Sequence, residues 1–187
     1  MSTVTKYNHT SAGTSVRFEP EQTFDRKRMR HYVEGETSVL HCHHYATLFT
    51  QLAMDASQFN GPALLAQAAA DTFWATLVRY YKKYKIQSTP DRIAIAEQYF
   101  AFMGLGVAAF ECSPGSAAVT LYRSHVDEGW IQKFGKRDSR VNFIGEGYVK
   151  AACAAIFDLR SPNDVEVSEQ QSIVRGARHS RFGAEWK

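Results

Sequence analysis

The sequence has few of the features that mark membrane, secreted or disulfide-rich proteins. Its 187 residues include only three cysteines, and an odd number does not suggest a disulfide framework. No apolar run approaches the ~20 residues that a membrane-spanning helix needs. The first 15 residues are polar and have no apolar core typical of a secretory signal. We therefore expect no membrane partner and a cytoplasmic location.

The charge is nearly balanced. Lys and Arg number 22 against 19 Asp and Glu, which gives a net charge of +3. The basic residues form short groups with acidic residues spread around them, so the sequence predicts no continuous basic surface for a polyanion. Nucleic acid is not an expected partner.

Aromatic residues are plentiful, with 12 Phe, 9 Tyr and 3 Trp. That apolar area and the chain length suit one compact domain and are short for two complete ones. Residues 1–15 are rich in Ser and Thr and have little to bury, which predicts a flexible N-terminal tail. Residues 16–187 are predicted to form a single domain.

The pattern of the predicted elements indicates an α+β fold. Short apolar pieces predict strands or a hairpin between residues 16 and 40, and helical spacing begins near Ser38 or His41. The predicted order is β, α, α, α, β, β, α, β, β, which corresponds to an antiparallel sheet packed against a layer of helices. The later elements are predicted as helices from Asn60 and from Thr89, strands at 107–111 and 117–123, a small-residue helix at 141–157, and strands at 165–167, 173–174 and 179–182.

Two stretches resemble a known family. Gly145-Glu146-Gly147-Tyr148, followed by the segment from Glu169 to Phe182, resembles the end of the vinyl-4-reductase domain family. Ser124-His125-Val126-Asp127-Glu128, followed by Phe134-Gly135, looks like a stretch of the sensor domains of phenol- and xylene-responsive regulators. The resemblance covers roughly residues 20 to 185.

This resemblance implies an α+β domain, commonly dimeric, with a hydrophobic cavity between helices and sheet for small aromatic molecules. We accordingly expect a homodimer, formed through the early strands or the apolar parts of the long helices. The sensors hold a structural zinc through three cysteines and a glutamate. The matching positions here are Asn142, Glu169, Ser172 and Ser180. Serine hydroxyls are poor zinc ligands near neutral pH, so this zinc is expected to be absent.

The densest group of candidate ligands is His41-Cys42-His43-His44-Tyr45. On a helix His41 and His44 share a face, and in an extended segment His41 and His43 share one. Three interpretations stay open, namely a metal site at His41 and His44, a metal-free polar wall of the pocket, and ordinary packed or exposed histidines. Apart from this possible metal, no cofactor is expected.

Aromatic residues on several segments predict the wall of one ligand pocket, with histidines and a tyrosine supplying polar points. If Glu97 faces this cavity, burial would raise its pKa and suit it to proton transfer or to ligand binding, whereas a solvent-facing Glu97 would do neither. The predicted ligand-binding residues are His41, His44, Tyr45, Phe73, Trp74, Tyr99, Phe100, Trp130 and Tyr148.

The leading functional prediction is a stand-alone protein that binds an aromatic or similarly hydrophobic small molecule, as a sensor or carrier. The alternative is a small enzyme, a hydrolase, lyase or reductase, that uses the same cavity. Its catalytic candidates are Cys42, which has imidazoles on both sides, His44 and Glu97. Reductase chemistry is the weakest version of this alternative, because no glycine-rich nucleotide motif follows a strand.

Overall fold

The computed structural model describes residues 16–39 and 42–187. The predicted N-terminal tail, residues 1–15, lies outside the described residues, and so do Leu40 and His41. The described chain forms helices and two antiparallel sheets, which confirms the α+β class.

Five α-helices and seven strands make up the described part of the chain. The helices are α1 (His43–Asp55), α2 (Gly61–Tyr84), α3 (Thr89–Phe102), α4 (His125–Phe134) and α5 (Phe143–Ile156). The strands are β1 (Gln22–Asp25), β2 (Arg30–Val33), β3 (Glu36–Ser38), β4 (Gly106–Ser113), β5 (Ser116–Ser124), β6 (Val165–Gln171) and β7 (Ser180–Trp186). Short 3-10 helices lie at Ser57–Phe59 and Pro162–Asp164.

The larger sheet has the strand order β4-β5-β7-β6 with every neighbouring pair antiparallel. Burial alternates along β5, where Ala117, Val119 and Leu121 are buried and the residues between them are half-buried. Such alternation is typical of a sheet with one face on the core and the other toward solvent. The turn between the two predicted strands lies at residues 113–116 and joins β4 and β5, with Pro114 and Gly115 at its centre.

Helices α2 and α5 pack closely because their contact is lined with small residues. A Cβ added to Gly147 would meet the backbone oxygen of Ala66 at 2.2 Å, so only glycine allows this approach. Residues Ala151 to Ala155 of α5 are all buried. The small-residue helix predicted from the sequence thus forms the centre of the core.

The start of α3 follows directly from its sequence. The Ser88 side chain accepts a hydrogen bond from the backbone N–H of Asp91, and Pro90 occupies the first turn, where no N–H is needed. Ala94, Ile95 and Ala96 are then buried in succession. The helix is therefore covered on several sides.

Two predictions of local structure were wrong. The predicted order has no helix directly after β5, but this segment forms α4, because Ser124 accepts a hydrogen bond from the Asp127 backbone N–H and caps the helix. Ile173 and Val174 were predicted to be a strand, but they lie in a turn in which Gly176 N–H donates to the Ile173 carbonyl.

Candidate functional site

Four of the predicted pocket aromatics pack together in the core. Tyr148 is fully buried, and its ring centroid lies 5.1 Å from that of Phe73 and 4.8 Å from that of Phe100. Tyr99 lies 6.2 Å from Tyr148, and the Tyr148 hydroxyl donates to the Ala96 carbonyl oxygen at 2.5 Å. These rings fill space between α2, α3 and α5.

Phe18, which the sequence did not single out, completes this aromatic group from the edge. It lies in an irregular segment before β1, and its ring is 4.6 Å from Tyr80, 5.1 Å from Tyr99 and 5.4 Å from Phe102. Only 9% of Phe18 is exposed. An aromatic ring therefore closes the core at the point where α3 turns toward β4.

A cavity of about 280 Å³ lies beside Phe18. Its wall is mostly apolar and comes from the segment before β1, the last turns of α3 and the start of β4. The residues that line it are Phe18, Glu97, Gln98, Ala101, Phe102, Val107 and Ala108. It is more enclosed and more apolar than the larger cavity described below.

Two polar side chains supply the fixed points of this cavity. Gln98 binds the backbone on both sides of Arg17, because its Oε1 accepts from Phe18 N–H at 2.8 Å and its Nε2 donates to the Val16 carbonyl oxygen at 3.1 Å. Glu97 Oε1 accepts from Phe110 N–H at 2.9 Å. Gln98 therefore holds the Phe18 segment in place, while Glu97 brings a carboxylate to a mostly apolar wall.

A larger cavity of about 800 Å³ lies at the other end of the sheet. Charged side chains such as Asp158, Arg160, Glu166 and Glu185 line it. A hydrophobic molecule would have to desolvate these charges without replacing their contacts with water. The smaller cavity is therefore the better candidate for an apolar ligand.

A cluster of buried polar side chains joins β5, α4, α5 and β7. Asp127 is fully buried, and its Oδ2 accepts hydrogen bonds from Asn142 Nδ2 at 2.9 Å and from Ser180 Oγ at 2.8 Å. Asn142 Nδ2 also donates to Ser124 Oγ at 2.9 Å. Asn142 Oδ1 in turn accepts from the Gly145 N–H and caps α5. This cluster fixes both helix starts against the sheet.

Glu169 and Ser172 lie beside this cluster and carry buried polar atoms. Both carboxylate oxygens of Glu169, the Ser172 hydroxyl and Asp127 Oδ1 have no hydrogen-bond partner among the described residues. Burial, together with the negative charge of Asp127, raises the pKa of Glu169 to about 7, against the opposing effects of Arg140, the nearby Ser172 hydroxyl and Arg175. Burial also raises the pKa of Asp127, against the effect of its hydrogen bonds.

The positions that the resemblance aligns with zinc ligands thus do lie close together, but their side chains form a hydrogen-bonded polar cluster instead of a set of zinc ligands. Asn142 and Ser180 are already engaged as donors to Asp127, and Asn142 Oδ1 is engaged at α5. In residues 16–39 and 42–187, no three His, Cys, Asp or Glu side chains form a group that could hold a metal ion. The donor set of this cluster does not fit zinc, which takes thiolate and imidazole ligands in such sites.

The residues of the histidine segment lie at the start of α1, away from the cavity lining. The exposed Cys42 thiol is 3.5 Å from His44 Nδ1, and the His43 ring stacks on His44 with centroids 4.3 Å apart. His44 and Tyr45 are exposed, while His43 Nε2 is buried against α4. His41 lies outside the described residues, so its predicted roles stay predictions.

The two predicted tryptophans are apart from each other. Trp130 is buried in a small second cluster with Val141 and Val174, where Met54 also packs. Trp74 packs at the edge of the main core, and its Nε1 is buried without a hydrogen-bond partner among the described residues. Neither tryptophan lines the cavity beside Phe18.

Three contributors to these sites were missed by the sequence analysis. The sequence has no signal for Phe18 and Gln98 beyond their residue types. Their roles depend on a tertiary contact in which the irregular segment containing Phe18 lies against α3. Asp127 appeared in the sequence only as part of the stretch that resembles the sensor domains, with no role of its own. Its position three residues after Ser124, in the first turn of a capped helix, is the signal that would have identified its structural place.

The comparisons with known proteins give a fold likeness only. No family model matches the chain, and no curated protein matches it. The phenol-responsive sensory domain of the transcription activator PoxR, solved with phenol, superposes with a TM-score of 0.72 at 13% identity, covering 88% of this chain and 84% of that one. Subunit 3 of a trafficking protein particle complex from Naegleria fowleri, covalently bound to palmitic acid, gives 0.50 at 11% identity, covering 78% and 94%.

Proposed function

We propose that this protein binds a small aromatic or similarly hydrophobic molecule in the cavity beside Phe18, as a sensor or carrier. The observation that carries the proposal is the largely apolar cavity of about 280 Å³ that meets the aromatic core at Phe18 and Phe102. Small-molecule sites are typically concave and apolar with a few fixed polar groups. Two proteins with this fold, described above with phenol and with palmitic acid, add support.

The lining defines the expected ligand class. The volume suits a molecule of one or two rings, and Phe18 and Phe102 offer ring faces or edges for it to pack against. Glu97 supplies an acceptor for a hydroxyl or N–H group of the ligand. A phenol or an indole meets these requirements, whereas a larger polar molecule does not.

The probes are phenol, toluene and indole. Their binding is measured by calorimetry and by the shift in melting temperature of the protein. Ala101 lines the cavity on an exposed part of α3, so Ala101→Trp would fill the space without disturbing the buried core. Ala68→Trp is the matched control, since Ala68 is an exposed alanine on α2 outside the cavity.

We expect at least one probe to bind the unmodified protein and the control equally. Ala101→Trp should weaken that affinity by at least tenfold, while both variants keep the melting temperature of the free protein. Binding that Ala101→Trp leaves unchanged would place the ligand elsewhere. No heat and no thermal shift with any probe at roughly millimolar concentration would overturn the proposal.

The proposal includes a homodimer and a cytoplasmic location. The family resemblance stated above supports pairing of two copies. No helix in residues 16–39 and 42–187 is both long and apolar enough to cross a bilayer. The mass of the protein in solution tests the first of these statements.

A further inference from the structure

One face of α1 exposes four large apolar side chains. Tyr45, Leu48, Phe49 and Leu52 follow one another at the spacing of a single helix face, and each is more than two-fifths exposed. The opposite face of α1 is buried against the domain. This helix is therefore apolar on the side that faces away from its own core.

The apolar exposure continues after α1. Phe59 is 71% exposed and Leu64, at the end of the first turn of α2, is 62% exposed. Together the six side chains leave on the order of 600 Å² of apolar surface uncovered, at roughly 100 Å² each. The largest exposed apolar patch of a typical single-chain protein is about 300–600 Å², so this summed area is at the upper end of that range.

The same region has almost no charge. Between residues 37 and 70 the only Asp, Glu, Lys or Arg is Asp55. Asp55 is the last residue of α1 and accepts a hydrogen bond from Gln51 Nε2 at 2.7 Å. A solvated helix face normally carries charged residues, whereas the centre of a protein interface is depleted of them and enriched in aromatics.

We propose that these six residues, which we call the α1 face, dock against the same surface of a second copy of this chain. An uncharged apolar surface can pair with itself about a twofold axis without like-charge repulsion. About 600 Å² from each copy, with the uncharged polar residues around it, approaches the ~800 Å² per partner of a standard interface.

Two other occupants are less suited to the α1 face. A membrane with anionic lipids would be attracted by Lys or Arg, and none lies between residues 37 and 70, where Asp55 is negative. Residues 1–15 of the chain contain only Met1, Val4 and Tyr7 as large apolar residues, too few to cover six exposed side chains. A second copy brings a matching set of six.

This inference rests on the proposed pairing of two copies and is independent of ligand binding. The test is light scattering and sedimentation of the full chain at about 20 μM, with Leu48→Glu and Leu52→Glu as separate variants. Val78→Glu is the matched control, because Val78 is a 40% exposed aliphatic residue on α2 outside the α1 face. Circular dichroism checks that each variant remains folded.

We expect the unmodified protein and Val78→Glu to have twice the 21.1 kDa chain mass, and both α1 variants to have the single-chain mass while still folded. A dimer that persists in both folded α1 variants would overturn the proposal that the α1 face is the interface, but not the proposal that two copies pair. A monomeric unmodified protein would overturn both, and its co-sedimentation with phosphatidylcholine–phosphatidylserine vesicles would identify lipid as the occupant. Ligand binding that survives either result leaves the cavity proposal standing.

Discussion

Replacing Glu169 by glutamine tests whether the buried polar cluster makes this protein sensitive to pH. Glu169 lies on β6 beside the buried Asp127, and neither of its carboxylate oxygens has a hydrogen-bond partner among the described residues. The glutamine variant keeps the shape of the side chain and removes its charge. It therefore isolates the free-energy cost of holding a carboxylate in this position.

The direction of the pH effect on stability depends on whether the folded or the unfolded state binds the Glu169 proton more tightly. The pKa of Glu169 rises from an ordinary 4.5 to about 7 in the fold. Between pH 4.5 and pH 7, Glu169 is therefore mostly protonated in the folded protein and mostly ionised in the unfolded chain. Stability from this group is thus fully present below about pH 4.5 and falls as the pH rises through 7. The full shift would correspond to roughly 3 kcal/mol, and solvent screening of a partly buried residue reduces this to about 2 kcal/mol.

Urea unfolding at pH 5 and pH 8 measures the effect. Glu169→Gln should be more stable relative to the unmodified protein at pH 8 than at pH 5, by about 2 kcal/mol in the free energy of unfolding. Glu185→Gln, an exposed carboxylate replaced on the neighbouring strand β7, is the control and should show no such difference. Asp127 is present in all three proteins, so the effect of burial on its pKa cancels in the comparison, while its repulsion of the Glu169 carboxylate is part of the measured difference.

Equal effects of Glu169→Gln at both pH values would refute this reasoning, because a simple loss of packing does not depend on the charge of the carboxylate. A variant that loses stability specifically at pH 8 would show that the ionised form of Glu169 is favoured in the fold. Either result would mean that the cluster holds the carboxylate with contacts that compensate its burial.

Three further predictions concern cysteine reactivity, helix packing and the helix cap. Iodoacetamide at pH 7.5 should modify Cys42 at least tenfold faster than Cys112, as followed by mass spectrometry, because burial and the charge of Glu97 raise the pKa of the Cys112 thiol to about 11; faster labelling of Cys112 would contradict this. Gly147→Ala should lower stability by about 2 kcal/mol or more in a thermal melt, since its Cβ would meet the α2 backbone. An unchanged melting temperature would show that α5 can move away from α2 without loss of stability. Asn142→Ala should cost about 3 kcal/mol in urea unfolding, because it removes the α5 cap and a donor to the buried Asp127 carboxylate; a loss below about 1 kcal/mol would mean that other groups take over both contacts.

Local sequence signals were sufficient for the long helices and the central hairpin. Ser88, Pro90 and Asp91 define the start of α3 through cap and first-turn chemistry that involves only neighbouring residues. The Pro-Gly turn between β4 and β5 is equally local. Helix α4 was missed because it has ten residues, a glycine and charged side chains, so its apolar period is short and only its cap was informative.

The candidate sites depended on contacts between residues far apart in the chain. The sequence offered a set of aromatics for one pocket wall, and the tertiary structure distributed them: Tyr148 is within the packed core, Trp130 is in another cluster and Tyr45 is on the surface. Residue type alone cannot separate these outcomes, since a ring is equally apolar in all three places.

The sequence by itself determined the α+β class, the small-residue character of α5 and the lack of charge between residues 37 and 70, because each is a property of residues close in the chain. Only the tertiary structure decided that Phe18 meets α3 beside a cavity and that Asp127 holds Asn142 and Ser180 together. It also decided that the large apolar side chains of the α1 face are exposed. These depend on which helix faces the rest of the chain covers, and that is set by packing of the whole domain rather than by local preference.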